Sequence, residues 1–293
     1  MRLTRSKAAA AVAALALTLT ACGDDGGDAP EVEVAENPEF EAGTTMADLA
    51  EAGTIRVGTK FDQPGFGLLG LSDAPEGFDV EVAKIIAAEL GIAPEDIEYS
   101  QASSDIREQV IEDDTVDMVV ATYTINDERA ERITFAGPYY TAGQQLMVAA
   151  DNDAITGPED LDDPSIQVCS VTGSTPAEQI KEYLAEESQL VLFDVYEKCA
   201  ASLSNGQVDV VTTDNVILLG FVAESDGEFK LVGEQFTEEP YGIGISKGDV
   251  AFCEFINETL QENEDAYVEA WEATAGQNEG TETPSLPEPN ECV

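Results

Sequence analysis

The residues able to do chemistry in this chain are carboxylates, hydroxyls, backbone amides and a few cations. Its 293 residues include 60 Asp+Glu, 13 Lys+Arg and no histidine, for a formal charge of −47. Without histidine, Ser-His and Cys-His nucleophiles and histidine metal sites are excluded. The acidic excess also makes nucleic acid a poor partner and opposes contact with an anionic membrane surface. The scarce cations are therefore the most informative residues.

Three cations occupy positions where an anionic ligand could reach them. Lys60 follows a predicted strand, and Arg129 follows the predicted buried strand 117–121. Ligands bind at strand ends in open α/β sheets, and arginine pairs bidentately with carboxylates. Arg107 begins a predicted helix, where the macrodipole disfavours a cation. These placements favour an anionic partner, although Arg129 could instead pair with a nearby acid such as Asp127.

Two predicted helix starts offer further ligand groups. Residues 174–178 (STPAE) have capping-box spacing with a proline in the first turn. Thr172 and Gly173 precede this start directly after a strand, and free N–H groups at such an end attract anions. Asp214 ends the predicted strand 208–213 and begins a helix. Each start could be a plain helix cap, or could bind a ligand: an anion at the first, an ammonium group at Asp214.

Residues 65–70 (GFGLLG) match a dinucleotide-binding glycine pattern. A dinucleotide loop must lead into a helix, whereas residues 71–75 have the composition of a turn. We interpret the segment as a loop lining a cleft and expect no cofactor.

The N-terminus is typical of an exported bacterial lipoprotein. Residues 1–21 form a predicted signal peptide, because a basic start precedes the apolar run 8–19, which is too short to span ~30 Å of hydrocarbon. The motif LTAC at residues 19–22 matches a lipobox, which predicts a lipid on Cys22 and anchoring at the outer face of the cell membrane. The alternative is an ordinary secretory signal. The acidic segment 22–44 predicts a disordered tether.

Four further cysteines follow: Cys169, Cys199, Cys253 and Cys292. An even number outside the cytosol indicates disulfides, although spacing alone does not choose among three pairings. We favour Cys169–Cys199 and Cys253–Cys292, since each pair lies within one sequence neighbourhood. The second pair would fasten the tail, residues 275–293, to the body. No metal site is expected, because the chain lacks both a CxxC pair and histidine.

The body alternates short apolar runs with amphipathic segments, the pattern of parallel sheets flanked by helices. Strands are predicted at residues 55–58, 97–99, 118–121, 145–150, 165–169, 191–193, 208–213 and 241–246. Helices are predicted at 78–90, 106–111, 176–184, 196–203, 216–222 and near 250–273. Because the alternation restarts at about residue 147, the sequence predicts two α/β lobes.

Several segments together resemble the extracellular solute-binding proteins of polar amino-acid ABC importers, solute-binding protein family 3, over about residues 45–273. The resemblance is carried by 77–83 (GFDVEVA), 116–121 (VDMVVA), 124–129 (TINDER), 133–140 (ITFAGPYY) and 208–214 (VDVVTTD). Residues 57–65 (VGTKFDQPG) and 169–176 (CSVTGSTP) are similar, more narrowly, to actinobacterial glutamate-binding lipoproteins. Those relatives carry a disulfide that matches Cys169–Cys199.

The resemblance implies an α/β, two-lobe periplasmic-binding-protein fold of type II, with a ligand cleft between the lobes and two hinge strands. Lobe 1 would comprise residues 45–146 and a return segment, 239–274. Lobe 2 would comprise residues 147–238. The implied function is that of a monomeric receptor, not an enzyme, which delivers an amino acid to an ABC permease in the membrane.

The resemblance also implies a site for a zwitterion. Arg129 would bind the α-carboxylate together with Thr124, and Asp214 would bind the α-ammonium group. Lys60 and Arg107 match positions where acidic-amino-acid binders contact the side-chain carboxylate, which favours L-glutamate. The implied ligand-binding set is Lys60, Arg107, Thr122, Thr124, Arg129, Thr172, Gly173, Ser174, Thr175, Tyr196 and Asp214.

Three other functions stay open from the sequence. One is a broader binder of polar amino acids, including glutamine and aspartate. Another is an enzyme similar to cyclohexadienyl dehydratases, which resemble this fold; it needs a general acid at the cleft, for which Glu128 is a candidate. The last is a sensory module that signals to a kinase. A transmembrane helix after the fold would be expected for such a module, and the sequence has no long apolar segment there.

Overall fold

The computed structural model describes residues 32–71 and 74–293. The signal peptide, Cys22 and the first part of the expected tether lie outside the described residues, so the statements about them stay predictions. Within the described ranges, no helix combines the length and apolar composition needed to cross a bilayer.

Nine α-helices and twelve strands make up the regular structure of the described ranges. The helices are α1 (Thr45–Ala52), α2 (Phe78–Glu89), α3 (Arg107–Glu112), α4 (Asp127–Arg132), α5 (Thr175–Gln179), α6 (Tyr196–Ser204), α7 (Asn215–Glu224), α8 (Val250–Glu262) and α9 (Glu264–Ala273). The strands are β1 (Ile55–Thr59), β2 (Asp62–Gln63), β3 (Gly67–Leu68), β4 (Ile97–Gln101), β5 (Met118–Val119), β6 (Thr134–Ala142), β7 (Gln144–Ala149), β8 (Val168–Val171), β9 (Leu190–Phe193), β10 (Val210–Asp214), β11 (Phe229–Val232) and β12 (Glu239–Ile245).

The strands form one five-stranded sheet in each lobe. The order is β4-β1-β5-β12-β6 in lobe 1 and β11-β7-β10-β8-β9 in lobe 2, and β2 pairs with β3 in a small separate ladder. The sequence predicted parallel sheets, but β12 runs antiparallel to β5 and β6, and β7 runs antiparallel to β10 and β11. The difference arises because β7 and β12 carry the chain across the cleft and enter each sheet from the cleft side.

Two chain crossings connect the lobes. The chain leaves lobe 1 after Ala142 and returns to it at Glu239, and these two residues are opposite each other in the antiparallel pairing of β6 with β12. The sequence-based prediction of a two-lobe α/β fold with two hinge strands is therefore confirmed. Strands β2, β3, β6 and β11 and helices α1 and α4 were not predicted.

Each lobe has its own apolar core. In lobe 1, Phe66, Phe78 and Trp271 are fully buried, and Trp271 stacks on Tyr140 with ring centroids 4.9 Å apart. Phe66 belongs to the glycine-rich segment 65–70, which leads through β3 and a loop to α2 rather than directly into a helix. That segment therefore contributes Phe66 to the core of lobe 1, and none of its residues lines the inner cavity or the outer groove that are described below.

Both disulfides favoured from the sequence are present, which confirms them. Cys169 and Cys199 join β8 to α6 in lobe 2, with Cα atoms 5.6 Å apart. Cys253 and Cys292 join α8 to the C-terminal tail, with Cα atoms 5.9 Å apart. The last residue of the chain also contacts lobe 1, because the Thr134 hydroxyl donates to the Val293 carbonyl at 3.0 Å.

Part of the segment expected to be a disordered tether packs against lobe 1. Residues 32–44 were expected to be disordered, yet the Ala35 N–H donates to the Ala88 carbonyl at 2.9 Å. Phe40 packs edge-on against Phe255, with ring centroids 5.5 Å apart. Scattered apolar residues in an acidic segment are therefore enough to cover part of lobe 1.

Candidate functional site

A narrow polar cavity of about 10 Å³ lies between the lobes. We call it the inner cavity. Lobe 1 contributes Gln63, Ser104, Arg107, Thr122 and Thr124 to its lining, and lobe 2 contributes Ser174, Thr175, Pro176, Tyr196, Thr213, Asp214 and Ile217. An outer groove of about 440 Å³ adjoins it and shares Ser104, Ser174 and Thr175 with it. The cleft expected from the sequence is thus a narrow polar cavity that adjoins a wider outer groove.

Arg107 is held rigidly at the first residue of α3. Its Nη1 donates to the carbonyls of Ala121, at 2.8 Å, and Thr122, at 3.2 Å. Its guanidinium carbon lies 4.1 Å from the centre of the Tyr123 ring, within the range of a cation–π interaction. Its Nε is buried and has no hydrogen-bond partner among the described residues. The guanidinium therefore keeps one donor available to a ligand.

Lys60 lies behind the cavity lining rather than in it. Its ammonium group is buried and donates to the Ser104 hydroxyl at 2.8 Å. Burial, and next the charge of Arg107, lower the pKa of Lys60 to about 7. Its positive charge is thus poorly compensated in this state, and an anion in the cavity would stabilise it.

Arg129 lies on α4 at the boundary of the inner cavity and the outer groove. Its Nη1 donates to the Thr124 carbonyl at 2.7 Å, and its Nη2 donates across the cleft to the Gly173 carbonyl at 3.0 Å. It also pairs with Glu108, with Nε 3.3 Å from Oε1. Burial, and next Arg107, lower the pKa of Arg129 to about 10. Arg129 therefore forms the ion pair that the sequence left open, with Glu108 rather than Asp127.

Asp214 occupies the N-cap position of α7 without acting as its cap. Its side chain accepts no hydrogen bond from that helix; instead Oδ2 accepts from the Tyr241 hydroxyl at 2.5 Å. Its Oδ1 is buried and unpartnered within the part of the chain that the structure describes. Burial, and next the charge of Glu239, raise the pKa of Asp214 to about 7. An unpaired buried carboxylate oxygen is a ready acceptor for an ammonium group.

The lobe 2 loop that begins α5 differs from the expected capping box by one residue. The N-cap is Ser174, whose hydroxyl accepts from the Ala177 N–H at 3.1 Å. Thr175 instead donates to a carboxylate oxygen of Glu239, at 2.7 Å, and lies 3.2 Å from the Thr124 hydroxyl across the cleft. Thr175 therefore connects the two lobes to the hinge strand β12.

Two members of the expected set, Lys60 and Thr172, line neither the inner cavity nor the outer groove, and Thr172 lies farther from the cleft. Its side chain is exposed, and its N–H donates to the Phe193 carbonyl at 2.9 Å, so its backbone extends the strand pairing. Gly173 borders the outer groove. Tyr196, the first residue of α6, is buried and lines the inner cavity as expected.

Several residues of the site were not identified from the sequence. Gln63 and Thr213 line the inner cavity, one of them three residues after Lys60 and the other directly before Asp214. Proximity to the candidate residues was a signal that could have found both. Glu239 and Tyr241 were missed because β12 carries them back to the cleft from a distant part of the chain.

Comparison with known proteins agrees with this geometry. The family model for bacterial extracellular solute-binding proteins, family 3, matches residues 55–268. The chain is 42% identical over 268 residues to the glutamate-binding protein GluB of Corynebacterium efficiens, covering 88% of this chain and 85% of that protein. It is 34% identical over 246 residues to the ABC transporter glutamine-binding protein GlnH of Bacillus subtilis, covering 84% of this chain and 86% of that protein.

A solved structure shows the same fold. An ancestral arginine-binding protein bound to glutamine superimposes with a TM-score of 0.69 at 34% identity, covering 75% of this chain and 96% of that chain. The two-lobe fold, the polar cleft and the match over most of the chain lead to one assignment: this chain belongs to the bacterial extracellular solute-binding proteins of family 3.

Proposed function

We propose that this protein binds L-glutamate between its lobes and delivers it to an ABC permease, as a monomer anchored to the outer face of the membrane through a lipid on Cys22. Closure of the lobes would mark the loaded state for the permease. The similarity to a glutamate-binding protein supports the ligand class, and the charges of the cleft support glutamate itself.

Two buried, unpartnered atoms of opposite charge carry the proposal. Arg107 Nε and Asp214 Oδ1 both belong to residues that line the inner cavity, and neither has a hydrogen-bond partner among the described residues. A buried donor or acceptor atom left unpaired costs about 1–3 kcal/mol, so both atoms favour a ligand that carries both charges. An amino acid with its α-ammonium group at Asp214 satisfies that requirement.

The balance of charges favours glutamate over glutamine. Lys60, Arg107 and Arg129 place three cations around the cleft, and Arg107 lowers the pKa values of the other two. An α-carboxylate at Arg129 would compensate one cation. A second carboxylate would add to the compensation of Lys60 and Arg107, whereas the amide of glutamine would not. Glutamine and aspartate stay the runner-up ligands, and GlnH is named as a glutamine-binding protein.

We infer binding without turnover. Glu128, the general acid that a dehydratase would need, is exposed and borders the outer groove rather than the inner cavity. Among the residues that line the inner cavity, the carboxylate is that of Asp214, which accepts a hydrogen bond from the Tyr241 hydroxyl. Prephenate and arogenate should therefore be recovered unchanged after incubation with the protein, as followed by chromatography. Conversion of either compound would contradict this inference.

Calorimetric titration of residues 23–293 with L-glutamate, L-glutamine and L-aspartate tests the ligand. We expect the tightest binding for L-glutamate. Lys60→Met should weaken the binding of L-glutamate about a hundredfold and that of L-glutamine less than threefold, because it removes a charge that only the side-chain carboxylate of L-glutamate needs. Lys230→Met is the matched control, because Lys230 forms a peripheral pair with Asp153 on lobe 2. Equal losses for both ligands in Lys60→Met would contradict the glutamate assignment.

The anchor and the oligomeric state have separate tests. In cells that process lipoproteins, Cys22→Ser should release the protein from the membrane fraction, and mass spectrometry of the wild type should find a diacylglyceryl adduct on Cys22. Sedimentation of residues 23–293 should give the mass of one chain with and without L-glutamate. A membrane-bound Cys22→Ser protein or a stable dimer would contradict the corresponding part of the proposal.

A further inference from the structure

The N-terminus of helix α6 in lobe 2 is capped by a carboxylate from lobe 1. Asp62, in β2, accepts the Tyr196 N–H on Oδ2 at 2.7 Å, although the two residues are 134 positions apart. The residue at the N-cap position itself, Val195, has an aliphatic side chain without an acceptor. The first N–H groups of a helix have no partners within that helix, so here the partner comes from the opposite lobe.

From this contact, we propose that Asp62 is a positioning residue that holds the closed form of the protein and so sets how long a ligand stays bound, without touching the ligand. The proposal rests on the proposed function only in requiring that the cleft close on an amino acid.

Capping α6 fixes much of the ligand-facing surface of lobe 2. Tyr196, whose N–H is the donor, lines the inner cavity. The disulfide between Cys199 of α6 and Cys169 of β8 ties this helix to the strand that leads to Ser174. A hydrogen bond to the start of α6 therefore orients both the Tyr196 and the Ser174 sides of the cavity against lobe 1.

The contact is made only while the lobes are together. When the cleft opens, the carboxylate of Asp62 and the N–H groups of α6 both return to water, so the bond contributes to the closed form and not to the folding of either lobe. Burial in the closed form raises the pKa of Asp62, and Lys60 and the N–H groups at the start of α6 oppose that effect by stabilising its charged form. A charge-assisted hydrogen bond of this kind corresponds to about a tenfold effect on the opening equilibrium.

The negative charge of Asp62 also acts on Lys60, whose pKa it raises against the larger effects of burial and Arg107. A substitution at Asp62 could thus weaken binding through Lys60 rather than through the helix cap. Asp62→Asn separates the two effects, because asparagine caps helices about as well as aspartate but carries no charge.

The experiment measures dissociation and association rates of radiolabelled L-glutamate by rapid filtration at pH 6, where Lys60 is mostly protonated. We expect Asp62→Ala to raise the dissociation rate about tenfold and to change the association rate less than threefold. Asp62→Asn should restore the dissociation rate to within about threefold of wild type. The melting temperature of the ligand-free protein should be the same for all three.

Asp249→Ala is the matched control. Asp249 caps α8 by accepting the Phe252 N–H at 3.1 Å, and both residues belong to lobe 1. This variant should lower the melting temperature and leave the dissociation rate unchanged, the reverse of Asp62→Ala.

Three outcomes would overturn the inference: an unchanged dissociation rate in Asp62→Ala, an equal increase in Asp62→Asn, or a rate change matched by a lower melting temperature of the ligand-free protein. Failure of the wild type to bind L-glutamate would instead count against the proposed ligand. The same rate comparison would then be made with radiolabelled L-glutamine.

Discussion

The main-chain N–H of Thr122 donates to Oδ2 of Asp79 at 2.7 Å, across 43 residues of sequence. Thr122 has a φ of +44°, a left-handed conformation that a β-branched residue rarely adopts. The other oxygen of Asp79 accepts from the Tyr139 hydroxyl at 2.6 Å. A fully buried carboxylate on α2 therefore holds a strained residue of the ligand cavity in place, at a cost of about 1–3 kcal/mol in backbone strain.

Replacing Asp79 should affect stability and binding together. Asp79→Ala leaves two buried donors without an acceptor and should lower the free energy of unfolding by about 3 kcal/mol. It should also weaken L-glutamate binding, because Thr122 loses its constraint. Asp79→Asn keeps one acceptor and should retain most of the stability and most of the affinity for L-glutamate. Urea unfolding and calorimetric titration measure the two effects, and normal binding by a destabilised Asp79→Ala would refute the positioning role.

The same carboxyl group predicts a pH dependence of stability. Burial raises the pKa of Asp79 to about 7 in the folded protein, whereas in the unfolded chain it has its ordinary value near 3.8. The folded state therefore holds the proton more tightly, and wild-type stability should fall relative to Asp79→Asn as the pH rises from about 4 to about 7. Unfolding curves of the two proteins at pH 5 and pH 8 test this, and a constant difference would contradict it.

Binding of L-glutamate should be tightest near pH 7. The pKa of Lys60 is lowered to about 7, so above that pH the site must take up a proton to bind an anion, and affinity should fall by up to tenfold per pH unit. The pKa of Asp214 is raised to about 7, so below that pH the site must release a proton to bind an ammonium group, and affinity should fall again.

Calorimetry in buffers of different ionisation enthalpy measures this proton exchange directly. At pH 8 the wild type should take up about one proton per ligand, and Lys60→Met should take up none. Lys60→Met should keep the decline of affinity at acidic pH, whereas Asp214→Asn should lose that decline. An alkaline decline that persists in Lys60→Met would identify another group as the cause.

A side chain at Gly173 should prevent full closure. A Cβ added there would lie 2.7 Å from the Cα atom of Asp105 in lobe 1, and the φ of Gly173 is +78°. Gly206 has a similar φ of +66° with open space around it. Gly173→Ala and Gly206→Ala should therefore destabilise the fold by a similar amount, about 1 kcal/mol. Only Gly173→Ala should weaken L-glutamate binding in calorimetry, by at least tenfold, and equal affinities would refute the close-contact argument.

The two disulfides should differ in their effect on binding. Their sequence separations of 30 and 39 residues correspond to about 3.5 and 4 kcal/mol in the chain-entropy model. Replacing Cys253 and Cys292 by alanine should lower stability and free the tail for proteolysis, with unchanged affinity. Replacing Cys169 and Cys199 should also weaken L-glutamate binding, because that disulfide ties α6 to β8. An affinity loss in the tail variant would contradict this division.

The sequence predicted the elements whose residues form local patterns. Helix α2 has a regular apolar face, and the buried strand near residue 118 is a continuous apolar run; both were recognised. Strand β6 was not predicted, because its residues 134–142 (TFAGPYYTA) contain glycine and proline without a regular apolar alternation. They take their stability from pairing with β12, a strand about a hundred residues later. Antiparallel pairing across the hinge has no local signal.

The same limit applies to the cleft. Asp214 could be recognised as either a cap or a ligand group, but only the contact with Tyr241 and the unpartnered Oδ1 distinguish the two. Asp62 shows the same limit more strongly, because no sequence pattern near residue 62 indicates a contact with α6. Cross-lobe contacts depend on how two separately folded bodies meet, and that information is spread over the whole chain.

Residues 32–44 pack on lobe 1, and the disulfide at Cys292 returns the other end of the described chain to the same lobe. A pair of fluorescent reporters fused at the two ends would therefore keep a nearly constant separation when the protein loads its ligand. A sensor built from this protein needs one reporter inside lobe 2, for example at the surface turn near Gly206, to convert closure into a change of signal.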